Sequence, residues 1–112
     1  MFLGKMAMEK QFKTFHDFYP YYLSEHVNTT CRVLHFIGSW LVLAAFAMAL
    51  LSGNAWWLAA MPLAGYGFAW AGHFFFEKNR PATFTYPLFS LASDWVMFVQ
   101  LLIGRIKFNV RA

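Results

Sequence analysis

Charge and cysteine are what this 112-residue chain has least of. Only five residues are acidic, one is a cysteine, and no formally charged side chain occurs between Arg32 and Glu77. The lone Cys31 excludes an intramolecular disulfide and any CxxC pair for zinc or dithiol chemistry, and it reads as a small residue near a helix start. Charged residues make up 12% of the chain and hydrophobic ones 60%, against roughly 25% charged in soluble domains. A soluble core of this size has no room for so much apolar surface, so an integral membrane protein is expected. The opening MFLGKMAMEKQ has no long apolar run leading to a small-residue cleavage site. No secretory signal is therefore read there, and insertion by internal segments is expected. The net charge of +4 is spread along the edges of apolar runs, the distribution expected beside anionic headgroups rather than on nucleic acid. There are no internal repeats and no low-complexity tracts, and residues 1–112 read as a single membrane-embedded domain.

What is present is a series of apolar runs with polar punctuation. Residues 1–30 read as an interfacial segment. Lys10, Lys13 and Asp17 there alternate with Phe12, Phe15, Phe18, Tyr19, Tyr21 and Tyr22, side chains that suit either the headgroup zone or a helix packed on the domain. Pro20 is expected to end or kink a helix near Tyr19. Asn28, Thr29 and Thr30 can cap a new helix. Val33 to Leu51 then spans about 28 Å at 1.5 Å per residue, close to the thickness of a bilayer core. Ser52-Gly53-Asn54 reads as a turn, and Ala55 to Phe76 as a second apolar run. The expected fold is an all-α membrane bundle: a transmembrane hairpin of 31–52 and 55–77, and a third membrane or interfacial helix over 88–107. Gly65, Gly67, Ala69 and Gly72 give the second helix small residues for close approach. On the third, Ser90, Ser93, Gln100, Gly104 and Lys107 share a sector at 100° per residue, with Asp94 at its margin.

Basic residues fix the expected orientation of the hairpin. Lys5, Lys10, Lys13 and Arg32 precede it, Lys78 and Arg80 follow it, and its turn is uncharged, so both ends are expected on the cytoplasmic side. If the third helix crosses as well, Arg105, Lys107 and Arg111 fall on the side the rule disfavours. Three crossings, or two crossings and a surface helix, both fit the sequence.

Three of the four histidines gather at that cytoplasmic edge. His35 lies near the start of the first crossing helix and His73 near the end of the second, at matched depth. His26 lies just upstream. His26 and His35 are nine residues apart, which puts them on opposite faces of any unbroken helix. A shared site requires the chain to break between them, where Asn28, Thr29 and Thr30 stand. His73 and Glu77 share a helical face, and Asp94 comes early in the third helix. Imidazoles are common ligands for iron and zinc, and ionisable groups inside a membrane are costly enough to suggest function. A metal site and a set of half-solvated hydrogen-bonding histidines both remain open on these grounds. His16, among interfacial aromatics, is read as outside the cluster.

The strings FYPYYLSEHVNTTCRVLHFIG, from Phe18 to Gly38, and GHFFFEKNRPATF, from Gly72 to Phe84, followed by Ser93-Asp94, resemble the yeast-type 2-hydroxy fatty acid dioxygenase family of phytosphingosine breakdown. The resemblance covers nearly the whole chain and suggests a small bacterial-type member. It implies an Fe(II)-dependent membrane enzyme that uses dioxygen to shorten a 2-hydroxy fatty acid by one carbon. Its essential histidines correspond to His26, His35 and His73. Glu77 and Asp94 would then orient the ligating rings or ligate directly. Asn28, Arg32, Lys78 and Arg80 are candidates for binding the substrate's carboxylate end, with the acyl tail among the bundle's Phe, Leu and Trp side chains. The expected location is the bacterial inner membrane, with the site at its cytoplasmic face. Two rival readings remain: a haem-binding electron-transfer subunit clamped by His35 and His73, and a structural or assembly protein without a site.

Overall fold

Thr14 opens the first helix, its hydroxyl accepting from the Asp17 amide at 3.2 Å, as Thr does at helix starts. This helix, α1 (Phe15–Ser24), runs through Pro20 rather than ending there. The carbonyl that Pro20 deprives of a donor belongs to His16, and both residues are exposed, so water can take the place of the missing bond. The computed structural model describes residues 12–110. The readings made for the N-terminal signal region, Lys5, Lys10 and Arg111 lie outside the described residues.

The chain breaks at Glu25–Val27 and restarts where Asn28 caps α2 (Thr29–Ser52), its side-chain oxygen 3.1 Å from the Cys31 amide. Gly53, with φ +69°, ends this helix in the left-handed conformation that glycine adopts without a Cβ penalty. The Asn54 side chain then accepts from the Trp56 amide at 3.0 Å, so the expected tight turn leads directly into α3 (Trp56–Ala71). Helical winding continues beyond α3 as a wider π-type segment, Gly72–Glu77. After a short 3₁₀ turn at Ala82–Phe84, α4 occupies Pro87–Leu102.

The third helix is shorter than the sequence suggested. It closes at Leu102 with Gly104 at φ +75°, the Gly104 amide bonding Leu101 O at 3.2 Å and the Arg105 amide bonding Gln100 O at 2.8 Å. This is the paired C-terminal arrangement that satisfies a helix's last carbonyls. Gly104 and Lys107 therefore leave the polar stripe. The remainder turns inward: Ser90 and Ser93 are buried, and Gln100 accepts from the Tyr19 hydroxyl at 2.5 Å.

Side-chain packing is concentrated at one end. Phe18, Tyr22, Met97 and Leu101 form the buried cluster between α1 and α4, with Phe36, Phe89 and Phe108 against it. Phe18 and Tyr22 thus belong to a packed helix rather than to a surface belt. The chain after α4 returns to the same end, where the Lys107 carbonyl accepts from Arg32 Nη1 at 2.6 Å and the Phe108 ring lies 5.1 Å from Phe36. The far end of the hairpin carries exposed apolar side chains, among them Leu51 at 82% and Trp56 at 81%. Among the described residues all regular structure is helical, and α2 alone is long and apolar enough to cross a membrane by length and composition. Gly72 brings α2 and the π segment together, since a Cβ there would stand 2.9 Å from Cys31 Sγ. A Cβ at Gly67, grouped with it by sequence, would meet nothing within 4 Å among the described residues.

Candidate metal centre

Three imidazoles converge where the loop after α1, the start of α2 and the π segment meet. His26, His35 and His73 are 1%, 6% and 3% exposed. Their ring centroids are separated by 4.6 Å (His26 to His35), 4.3 Å (His26 to His73) and 5.1 Å (His35 to His73). Every pair of rings is nearly perpendicular, so the rings point toward a common centre rather than stacking.

The outer nitrogen of each ring is already committed. His26 Nδ1 lies 2.6 Å from Tyr22 O, His35 Nδ1 2.8 Å from Cys31 O, and His73 Nδ1 2.7 Å from Asn79 Oδ1. All three partners are oxygens that can only accept. The Asn79 amide is oriented by its own Nδ2, which donates to Glu25 O at 3.1 Å. Each Nδ1 therefore carries the proton, and each neutral ring presents an Nε2 lone pair. Burial, followed by repulsion from His35 and His73, holds the His26 pKa well below the usual histidine range, which keeps this ring neutral. His26 Nε2 and His35 Nε2 face each other at 3.1 Å. Two lone pairs so placed repel unless a cation lies between them, and this is close to the spacing of adjacent nitrogens each about 2.1 Å from one ion. With Cys31, the cluster offers four donor atoms within 4.8 Å of one another, a nitrogen and sulfur set suited to iron or zinc.

Local backbone makes this possible. The break at Glu25–Val27 cancels the opposition of His26 and His35. The π winding at Gly72–Glu77 re-aims His73, as such widened turns commonly do at functional sites. Lys78 then adopts φ +57°, an unusual left-handed conformation for a non-glycine residue. That reversal folds Asn79 back onto the His73 ring. Sequence reasoning missed Asn79 as the His73 acceptor. It also missed Cys31 as a cluster member, although its spacing of four from His35 on one helix was available as a signal.

The remaining expected site residues have other partners. Glu77 accepts from the Asn28 backbone amide, and Asp94 accepts from the Tyr22 hydroxyl. Neither receives an imidazole N–H, so the ring-orienting role expected of them falls to two carbonyls and Asn79. Asn28 caps α2. Arg32 is buried and spends Nε on His26 O at 2.5 Å and Nη1 on Lys107 O, steadying the His26 loop. Lys78 and Arg80 are exposed, with the Arg80 guanidinium over the Phe84 ring at 5.1 Å. Tyr22 stacks on His26 at 4.0 Å. Burial and the adjacent Asp94 push its phenol well above the usual tyrosine range, so it remains a proton donor.

Two cavities meet at the histidines. The inner one, about 20 Å³, is lined by all three histidines with Trp70, Ser90 and Asp94. The outer one, about 250 Å³, begins at His35 and Asp94 and extends along Ser39 and Val42 of α2 and Gly65 and Met61 of α3. Those α2 positions follow one face at i, i+4 and i+7, so this cleft runs from the histidines toward the hairpin tip. A haem clamped by His35 and His73 finds no slot: the His26 ring lies 4.6 Å and 4.3 Å from those two rings, and Gly72 seals α2 against the π segment.

Neither the curated proteins nor the solved structures yield a match to this chain. A family model does, over residues 12–106, with the description 2-hydroxy-palmitic acid dioxygenase Mpo1-like. That span contains the loop, both hairpin helices, the π segment and α4, and on that match the chain belongs to the Mpo1-like family.

Proposed function

We propose that this protein is a membrane-bound, Fe(II)-dependent dioxygenase that shortens a 2-hydroxy fatty acid by one carbon. The observation that carries this reading is the set of three buried imidazoles, each with Nδ1–H committed outward and Nε2 turned to a common centre. His26, His35 and His73 would hold the ion, with Cys31 beside them. Bound iron supplies a centre that an α-hydroxy acid can chelate and that can react with dioxygen. The overall reaction balances without a co-reductant. R-CH(OH)-COOH and O₂ give R-COOH, CO₂ and H₂O, with the C1–C2 bond broken and both oxygen atoms reduced at the expense of C1 and C2.

The protein's own groups supply position and exclusion of water. The outer cleft offers the acyl tail an apolar path from His35 to Val42 and Met61, and burying a tail is worth about 0.8 kcal/mol per CH₂. Tyr22 and Asp94, at the junction of the two cavities, form a hydrogen-bonded pair beside the reacting end.

A two-crossing topology with α4 at the surface accommodates the charges better than three crossings. Lys107 is tied to the first turns of α2 by Arg32, at the same end as Lys78 and Arg80. The basic residues after α4 then share the cytoplasmic side with those before it, and the conflict with the charge rule disappears. In this arrangement the site sits at the cytoplasmic headgroup boundary of the bacterial inner membrane, where the substrate's polar end lies at headgroup depth and its tail in hydrocarbon.

The test is product analysis. Iron-loaded protein given 2-hydroxyhexadecanoate and oxygen should release the fatty acid one carbon shorter, with stoichiometric oxygen uptake. Metal-loaded protein that leaves the hydroxy acid intact would contradict the assignment.

A further inference from the structure

The cations expected to bind the substrate's carboxylate are used elsewhere or lie outside the cavities. Arg32 is spent on two backbone carbonyls, and Lys78 and Arg80 are exposed and line neither cavity. The inner cavity contains a different resource. Trp70 Nε1 and Ser90 Oγ are both sealed from solvent and have no hydrogen-bond partner among the described residues, and both residues line the cavity that the three histidines line. Indole N–H is a donor only, and a serine hydroxyl donates freely. Two such groups left unsatisfied cost folding free energy, which a ligand with acceptor oxygens would recover. They come from different elements, Trp70 from α3 and Ser90 from α4, so the cavity is bracketed from both sides.

We propose that Trp70 Nε1–H and Ser90 Oγ–H form the carboxylate-binding subsite of this centre, holding the acid group of a 2-hydroxy acid by neutral hydrogen bonds rather than by an ion pair. This rests on the dioxygenase reading and names how that site recognises its substrate. A neutral subsite suits a headgroup-boundary location, since it leaves no uncompensated cation buried when the site is empty. The hydroxyl and one carboxylate oxygen remain available to the metal, while the second carboxylate oxygen takes the two donors. Asp94 lines the same cavity and accepts from the Tyr22 hydroxyl.

The experiment measures equilibrium binding of 2-hydroxyhexadecanoate and of hexadecane-1,2-diol to full-length, iron-loaded protein in detergent under argon, with metal content determined on the same samples. Ser90→Ala and Trp70→Phe should each weaken acid binding by about tenfold, the scale of one hydrogen bond to a charged group. Both should leave diol binding and iron content at wild-type levels. Ser93→Ala is the control: its hydroxyl is also buried without a partner among the described residues, but it lies outside both cavities described above, so acid binding should not change. Wild-type acid binding in Ser90→Ala with iron retained would overturn the subsite while leaving the dioxygenase reading intact. Equal loss of acid and diol binding would also overturn it, marking the residues as merely structural. Wild-type protein that binds neither compound would instead remove the dioxygenase reading on which the subsite rests.

Discussion

The side chain of Asn79 closes on His73, Oδ1 to Nδ1 at 2.7 Å, across a single left-handed residue, Lys78. That contact fixes the His73 tautomer and turns its Nε2 toward the other two rings. A partner of this kind raises ligand basicity, and its removal typically costs 10–100-fold in metal affinity.

Asn79→Ala is therefore expected to weaken metal binding by about 10–100-fold, measured by competition with a chromophoric chelator. Asn79→Asp keeps an acceptor and should bind far more tightly than the alanine variant. Equal affinities for the wild type and Asn79→Ala would remove this role.

Gly72 is where the π segment meets α2, and a Cβ there would stand 2.9 Å from Cys31 Sγ and 3.2 Å from Cys31 Cα. The second distance is to backbone, which cannot swing aside. Gly72→Ala should destabilise the protein by about 1–3 kcal/mol and lower metal affinity by pushing His73 away from His35. Thermal unfolding in detergent reads the first effect and chelator competition the second. An unchanged melting temperature would mean that the contact relaxes freely.

The convergence of His26, His35 and His73 was legible in the sequence because it follows from phase and punctuation. Nine residues put two histidines on opposite faces, and capping residues marked the break that reunites them. The identity of their outward partners was not legible. A π turn has no composition that distinguishes it from α-helix, and Lys78 gives no sign of a positive φ, so nothing pointed to Asn79. The end of α4 is hard to place from the sequence, because Gly104 is both a stop signal and a fit to the polar stripe. Pro20 does not end its helix, since the bond it removes lies on an exposed face where water can replace it.

Topology has a direct test in the charges on either side of α4. Single cysteines at Gly53, Arg80 and Arg105 in a Cys31→Ser background, probed with a membrane-impermeant thiol reagent in oriented vesicles, should fall into two classes. Arg80→Cys and Arg105→Cys are expected to label from the same side and Gly53→Cys from the opposite side. Labelling of Arg105→Cys from the side of Gly53→Cys would restore a third crossing.

Whether the three histidines act together is tested most directly by metal content. His16 serves as the internal control, since its side chain is 99% exposed and its Nδ1 lies 3.8 Å from Asp17 Oδ1. After mild purification the wild type and His16→Ala should carry equal metal, close to one ion per chain, whereas His26→Ala, His35→Ala and His73→Ala should each lose most of it. Full metal retention in any one of these three variants would contradict a centre built from all three rings.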